Sequence, residues 1–248
     1  MTDPSSYFSS HLNELRQRLL VSFAAVVGAT AVAYLFADRI ARLFMVPLLA
    51  ARQPPVKLVY TNLTEAFVSY LKVSLLVGLI AGVPVMLYEL WMFVAPGLMR
   101  HEKKKAIAIL FWSVFLFGAG ACFAYFLVLP RVLTFFMGFS SPRLEPLPRL
   151  GGYLTFVART SLAFGLAFEI PFLMVATTRT GVVAGDYFRR NRRYYYPGIL
   201  LLAALLTAGD LFGAVLLATP LIGLYEAGLL VIRLFSGSKG GAKSDPAA

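Results

Sequence analysis

Acidic residues are few in this chain, and several stand where a charge is expensive, so their positions carry the first chemical reading. The 248 residues include 12 Asp and Glu against 23 Lys and Arg, while 59% are hydrophobic and only 14% charged. Glu169 lies in AFGLAFEIPF, an apolar stretch with Pro171 two residues further on. A carboxyl within hydrocarbon is costly and is a functional candidate by default. Pro171 has no N–H to donate, so the carbonyl of Ala167 loses its helical partner. A carboxyl beside a freed carbonyl makes a polar notch in an apolar helix. The other reading is a protonated Glu169 that hydrogen-bonds a neighbouring helix and holds the bundle together.

A second set of acids sits among cations. Glu102 falls in APGLMRHEKKK, flanked by Arg100, Lys103, Lys104 and Lys105. A fixed anion on a basic face suits an incoming guanidinium, which can pair with carboxylate in a planar, two-point geometry. Glu14, in HLNELRQRLL, precedes Arg18 by one helical turn in the favourable order, so it either supports the start of a helix or joins Glu102 as one of two anions able to accept two arginines. Glu89 is a third acid in that neighbourhood. Asp210 either caps a tight turn or serves function. Glu226, beyond Pro220, is either solvated or lipid-paired near the interface or functional. Metal and covalent chemistry find no support: His11 and His101 lack partners at ligand spacing, and no GxSxG, HExxH or phosphate-cradling glycine loop is present. No cofactor is implied. The single Cys122 has no partner for an internal disulfide and reads as a packing residue.

The elements that would position these groups are membrane helices. A mean hydropathy of +0.75 is foreign to a water-soluble domain of this length. Apolar runs cover 19–37, 66–94, 106–129, 154–178 and 197–235, and the last is too long for one span. Dividing it at Gly209-Asp210 gives an all-α integral membrane protein of six transmembrane helices with both termini on one side. Tyr88, Trp91 and Phe93 form an aromatic band ahead of the basic run, the order expected where a helix leaves the bilayer on its cytoplasmic side. Lys and Arg on the N-terminal tail, the second and fourth connections and the C terminus outnumber those on the opposite connections two to one, which places both termini in the cytoplasm. The net charge of +11 follows from this topology and anionic membrane lipid, and requires no nucleic acid. The first apolar helix serves as its own insertion signal, without a cleaved leader.

Residues 1–235 read as one transmembrane domain and 236–248 as a disordered cytoplasmic tail. Two proline-rich outer connections, 39–64 and 131–153, are expected to be ordered caps. RIARLFMVPLL, from Arg39 through Pro47, reads as a short amphipathic helix in the interface. The fifth helix, 194–208, spans only about 22 Å, thinner than a normal hydrocarbon core. Pro220 is expected to break the sixth, giving a concave bundle with short fifth and sixth helices. Trp112 and the Phe-rich third helix read as lipid-facing or packing groups.

HLNELRQRLL, ADRIARLFMVPLL, TEAFVSYLKVSLLVGLIAGVPVMLYELWMFVAPGLMRHEKK, FAYFLVLP and GLAFEIPF, in that order, resemble the signature segments of the TatC family, the multispanning core of the twin-arginine protein translocase. The resemblance covers nearly the whole chain. Two departures stand out, Glu89 in place of a glutamine and LTAGD in place of LTPPD. The resemblance implies a receptor for the twin-arginine signal peptides of folded cargo, multi-pass in the cell inner membrane and dependent on the proton-motive force. It implies that Glu14 and Glu102 contact the two arginines, with Arg16, Pro84, Phe93, Pro96 and Leu98 shaping the site and Pro47 in the periplasmic cap. It further implies that TatA and TatB, single-span partners, dock near Glu169, Thr207, Asp210 and Glu226, and that other copies of the chain join the complex. Two other classes remain. A proton-coupled transporter would use Glu169 as its carrier, but no inverted repeat is visible, and an intramembrane enzyme would need an acid–base or nucleophile pair that is not seen. Solute uptake by the purified protein, or substrate turnover, would mark those classes.

Overall fold

The computed structural model describes residues 4–51, 58–59, 62–94, 103–138, 147–179, 183–184, 186–207 and 211–237, and within these the side chains of 4–11, 50, 51, 63, 91, 94, 103–109, 176, 179 and 235–237 are not described. The described residues are helical except for short connections: α1 Pro4–Leu35, α2 Ala37–Ala51, α3 Leu63–Val94, α4 Lys103–Phe123, α5 Leu129–Met137, α6 Leu150–Arg179, α7 Tyr187–Arg190, α8 Arg192–Leu206 and α9 Leu211–Gly237. Five helices are long and apolar enough to cross a membrane, over Leu12–Leu35, Thr64–Leu90, Leu110–Met137, Leu150–Val175 and Leu211–Leu234. Their outward faces carry Leu35, Phe23, Phe111, Phe126 and Leu234, all exposed. So much outward apolar surface requires lipid around it, and the chain is a multi-pass membrane protein.

Several prolines fall inside these helices, and each removes one backbone donor. Pro47 leaves the carbonyl of Leu43 without its helical partner, and the Tyr125 hydroxyl donates to that carbonyl at 2.6 Å. The Tyr153 hydroxyl donates to the next carbonyl, Phe44, also at 2.6 Å. Two side chains from α6 and the α4–α5 segment thus fasten α2 where its own ladder fails. Pro130 is accommodated differently. The helix widens into a π turn over Ala124–Val128, with the Leu129 N–H donating to Ala124, and then continues as α5. The third apolar run therefore extends to Met137, beyond the expected end at residue 129.

Lipid offers little hydrophobic drive for helices to associate, so close packing at small residues must supply it. A Cβ on Gly82 would stand 2.7 Å from Val26, and one on Gly120 would stand 2.5 Å from the Phe164 carbonyl. Helix α6 is the hub, contributing to a cluster with α2, α3 and α5 and to another with α4, α8 and α9. Half of its membrane window is buried, against 6% for α1, which leans on the bundle almost wholly through α3. At the α2 end, the Val59 N–H donates to Pro148 at 3.1 Å and the Leu150 N–H to Val59 at 2.9 Å, joining the two proline-rich connections.

Two expectations are corrected, for the final helix and for Cys122. The final helix is not short: α9 runs 27 residues through Pro220, because one lost hydrogen bond does not end a helix packed on both sides of the gap. In α2, Ala41, Phe44 and Leu48 pack against the protein's own helices while Leu43, Val46 and Leu49 remain exposed. Cys122 does not pack inside but lies exposed on the helix surface. The fifth helix is short as expected, 15 residues, two positions earlier than anticipated. Helix α8 ends at Leu206 and α9 begins at Leu211, and Gly209-Asp210, where the division is expected, lie outside the described residues.

Candidate functional site

The register of α1 on α3 builds the first polar site. Gly78 approaches Thr30 and Gly82 approaches Val26, so the helices run antiparallel, and one further stretch of each brings Arg18 opposite Glu89. Arg18 donates from Nε at 3.1 Å and Nη2 at 2.6 Å to Oε1 of Glu14, and from Nη1 at 3.1 Å to Oε2 of Glu89. One guanidinium bridges two carboxylates. The Glu14 side chain is 34% exposed, Arg18 20% and Glu89 14%, so the Glu14 side is the more open. Both contacts to Glu14 fall on one oxygen, leaving its Oε2 outside the bridge, and a part-buried charge-assisted contact of this kind is stronger than an exposed surface pair.

Around this bridge stand other expected site residues. Arg16 is exposed and lines a shallow apolar groove with Leu12, Leu15, Leu19, Leu20 and Phe23. Pro84 lies in the interior of α3 and half-buried Phe93 in its last turn. Pro96, Leu98 and Glu102 lie outside the described residues, so the site as described joins Glu14 to Glu89. The α1 half of the bridge is written in the i, i+4 spacing of Glu14 and Arg18. The Glu89 half, 71 residues away in sequence, needed the helix register.

Glu169 forms a second site. It is 5% exposed. The Ser113 hydroxyl of α4 donates to its Oε2, while Oε1 has no hydrogen-bond partner among the described residues. Pro171, just beyond, packs against α9, where a Cβ on Gly228 would stand 3.0 Å from its Cα. The carboxyl thus lies between α6 and α4, while α9 packs on α6 at Pro171, about half a turn further round the helix. Ser113 was not singled out from sequence; its position opposite Glu169 in the antiparallel α4–α6 pair is the only signal that marks it.

The third cluster ties α8 to α9. Arg192 donates from Nη2 to Glu226 at 2.7 Å, and the Tyr196 hydroxyl donates to the other carboxylate oxygen. Tyr195 stacks on Tyr225 with ring centres 5.1 Å apart, and the Tyr225 hydroxyl donates to the Phe188 carbonyl at 2.6 Å. Glu226 is thus paired within the protein, through partners the sequence reading did not name. Thr207, at the end of α8, bonds its hydroxyl to the Ala203 and Ala204 carbonyls, and Asp210 lies outside the described residues. Among the described residues no three His, Cys, Asp or Glu side chains gather as a metal site would require.

Comparison with known proteins gives a consistent result. A family model described as Sec-independent protein translocase protein (TatC) matches residues 10–220. The Sec-independent protein translocase protein TatC of Desulforapulum autotrophicum is 40% identical over 237 residues, covering 96% of this chain and 88% of that protein. Its counterpart in Escherichia coli is 33% identical, covering 92% and 88% respectively. A crystal structure of a twin arginine translocase receptor, TatC, superposes with a TM-score of 0.84 at 36% identity, covering 91% of this chain and 99% of that one.

Proposed function

The chain belongs to the TatC family of Sec-independent protein translocase proteins, and from that membership we propose that it binds the twin-arginine signal peptides of folded proteins at its cytoplasmic face, using the carboxylates of Glu14 and Glu102. The family is a translocase component and not an enzyme. The observation that carries the reading is Glu14 itself. It stands at the open side of a polar bridge and already accepts two N–H donors of one guanidinium on Oε1, in a fold matched over 91% of the chain by a twin arginine translocase receptor. Guanidinium presents a planar set of donors that ammonium cannot copy, so paired carboxylates give a physical basis for preferring arginine. Arg16, Pro84, Phe93, Pro96 and Leu98 would shape the surrounding surface.

The same reading sets six spans with both termini in the cytoplasm of a cell whose inner membrane holds the protein. The short α8, about 22 Å by helical rise, counts as the fifth, in a bilayer thinned around it. Single-span partners of the TatA and TatB kind would dock against α8 and α9 beside the Glu169 notch, and a polar residue of a partner helix would reach the buried, unpaired carboxyl oxygen only if α6 and its neighbours part to admit it. By the same reading Thr207, Asp210 and Glu226 would serve partner docking and Pro47 the periplasmic cap, and further copies of the chain would complete an assembly driven by the proton-motive force.

The test is the affinity of a synthetic twin-arginine signal peptide for the detergent-solubilised protein, comparing wild type with Glu14→Ala, Glu102→Ala and the double variant. Each single change is expected to weaken binding and the double change to weaken it further. Equal binding by all four would make the carboxylates structural and remove the proposed site.

A further inference from the structure

We propose that Arg18 is a built-in competitor for the arginine site: it holds Glu14 in the empty protein, yields Glu14 to an incoming guanidinium, and stays paired with Glu89 while that guanidinium is bound. The inference rests on the reading of Glu14 as an arginine acceptor. Its geometric basis is the bridge. Arg18 places Nε and Nη2 on Glu14 and Nη1 on Glu89 at the same time, so it can release the first carboxylate without losing the second. Arg18 makes its shorter and more numerous contacts with Glu14, but Glu89 is the more enclosed acid, 14% against 34% exposed, so Glu14 is the partner a ligand can reach and Glu89 the one that stays with Arg18. Stripping a part-buried guanidinium of every carboxylate would be strongly unfavourable, and Glu89 prevents that. The cluster carries two carboxylates for one internal cation, leaving one negative charge for an external one.

The exchange also sharpens selectivity. Arg18 gives two N–H donors to Oε1 of Glu14; an incoming arginine can return two donors to that carboxylate, whereas lysine returns a single-point contact. Arg18 therefore raises the threshold for every ligand and raises it most for lysine.

Binding of twin-arginine and twin-lysine peptides to the full-length protein, with thermal melting as a check on folding, tests this in wild type, Arg18→Gln, Glu89→Gln, the double variant and Glu14→Ala. Arg18→Gln is expected to bind the twin-arginine peptide about tenfold tighter and to discriminate less against twin-lysine. Glu89→Gln, which keeps Arg18 but removes its anchor, is expected to bind about tenfold weaker, and that loss is expected to vanish in the Arg18→Gln background. Unchanged or weaker binding by Arg18→Gln overturns the proposal. Should Arg18→Gln fail to fold, Glu89→Gln decides alone, and unchanged affinity there also overturns it. If Glu14→Ala binds like wild type, the arginine-acceptor reading itself falls; if Glu14→Ala weakens binding while Arg18→Gln does not tighten it, only the competitor falls.

Discussion

Gly78→Ala should separate α1 from the bundle, and the size of the effect can be worked from the contact. A Cβ on Gly78 would stand 2.6 Å from both N and Cα of Thr30. Those are backbone atoms, so no rotamer change in Thr30 relieves the overlap, and α1 must shift as a body. Overpacking of this kind costs about 1–3 kcal/mol. Alanine also recovers up to about 1 kcal/mol of helix propensity, which would blur a comparison with wild type. Gly28→Ala removes that ambiguity, because it makes the same exchange inside the same packed pair of helices, at a position where a Cβ meets nothing within 4 Å. The propensity gain cancels between the two variants and the clash remains. At roughly 2–4 °C per kcal/mol for a chain of this size, Gly78→Ala should melt about 2–12 °C below Gly28→Ala in the same detergent, measured by circular dichroism. Coincident melting, or a higher midpoint for Gly78→Ala, would refute the α1–α3 register from which the Arg18–Glu89 bridge follows.

Other consequences concern groups left without partners. Tyr125→Phe should destabilise the protein by about 1–3 kcal/mol by orphaning the Leu43 carbonyl, and Pro47→Ala, which restores an N–H to that carbonyl, should erase most of the loss in a double-variant melting cycle. Ser113→Ala should lower the melting midpoint, since it strips the last described hydrogen bond from buried Glu169, while Ser113→Thr keeps the donor and should melt near wild type. Arg192→Gln should change stability by less than about 1 kcal/mol, because Arg192 and Glu226 are 42% and 34% exposed and exposed pairs contribute little; a larger drop would show the α8–α9 pair to be better shielded than its exposure indicates.

Much of this organisation was legible in the residues because hydropathy and helix length are local properties. The long apolar runs around Glu169 and Gly78, the short fifth helix and the interruption after Thr207 could all be read directly. Proline was the main source of error. Its lost donor is visible in the sequence, but the remedy is not: the Leu43 carbonyl freed by Pro47 is served by Tyr125, 82 residues from Leu43, Pro130 by a π turn, and Pro220 passes without ending α9. The acids behaved similarly. Glu14 announced its pairing with Arg18 by spacing alone, whereas Glu89, Ser113 and Arg192 acquire their roles only when antiparallel registers bring distant segments together. Outward or inward orientation was also beyond reach for Cys122, because an apolar helix in lipid has no polar face to mark which side is out.

The pairing of carboxylates with arginine is measured most directly by one cycle: the affinity of twin-arginine and twin-lysine peptides for wild type, Glu14→Ala and Glu102→Ala. Wild type should lose about tenfold or more on the lysine exchange, and each alanine variant should lose distinctly less, because the group that tells the two cations apart has gone. An equal lysine penalty in all three proteins would contradict the account, placing the recognition of arginine away from both carboxylates.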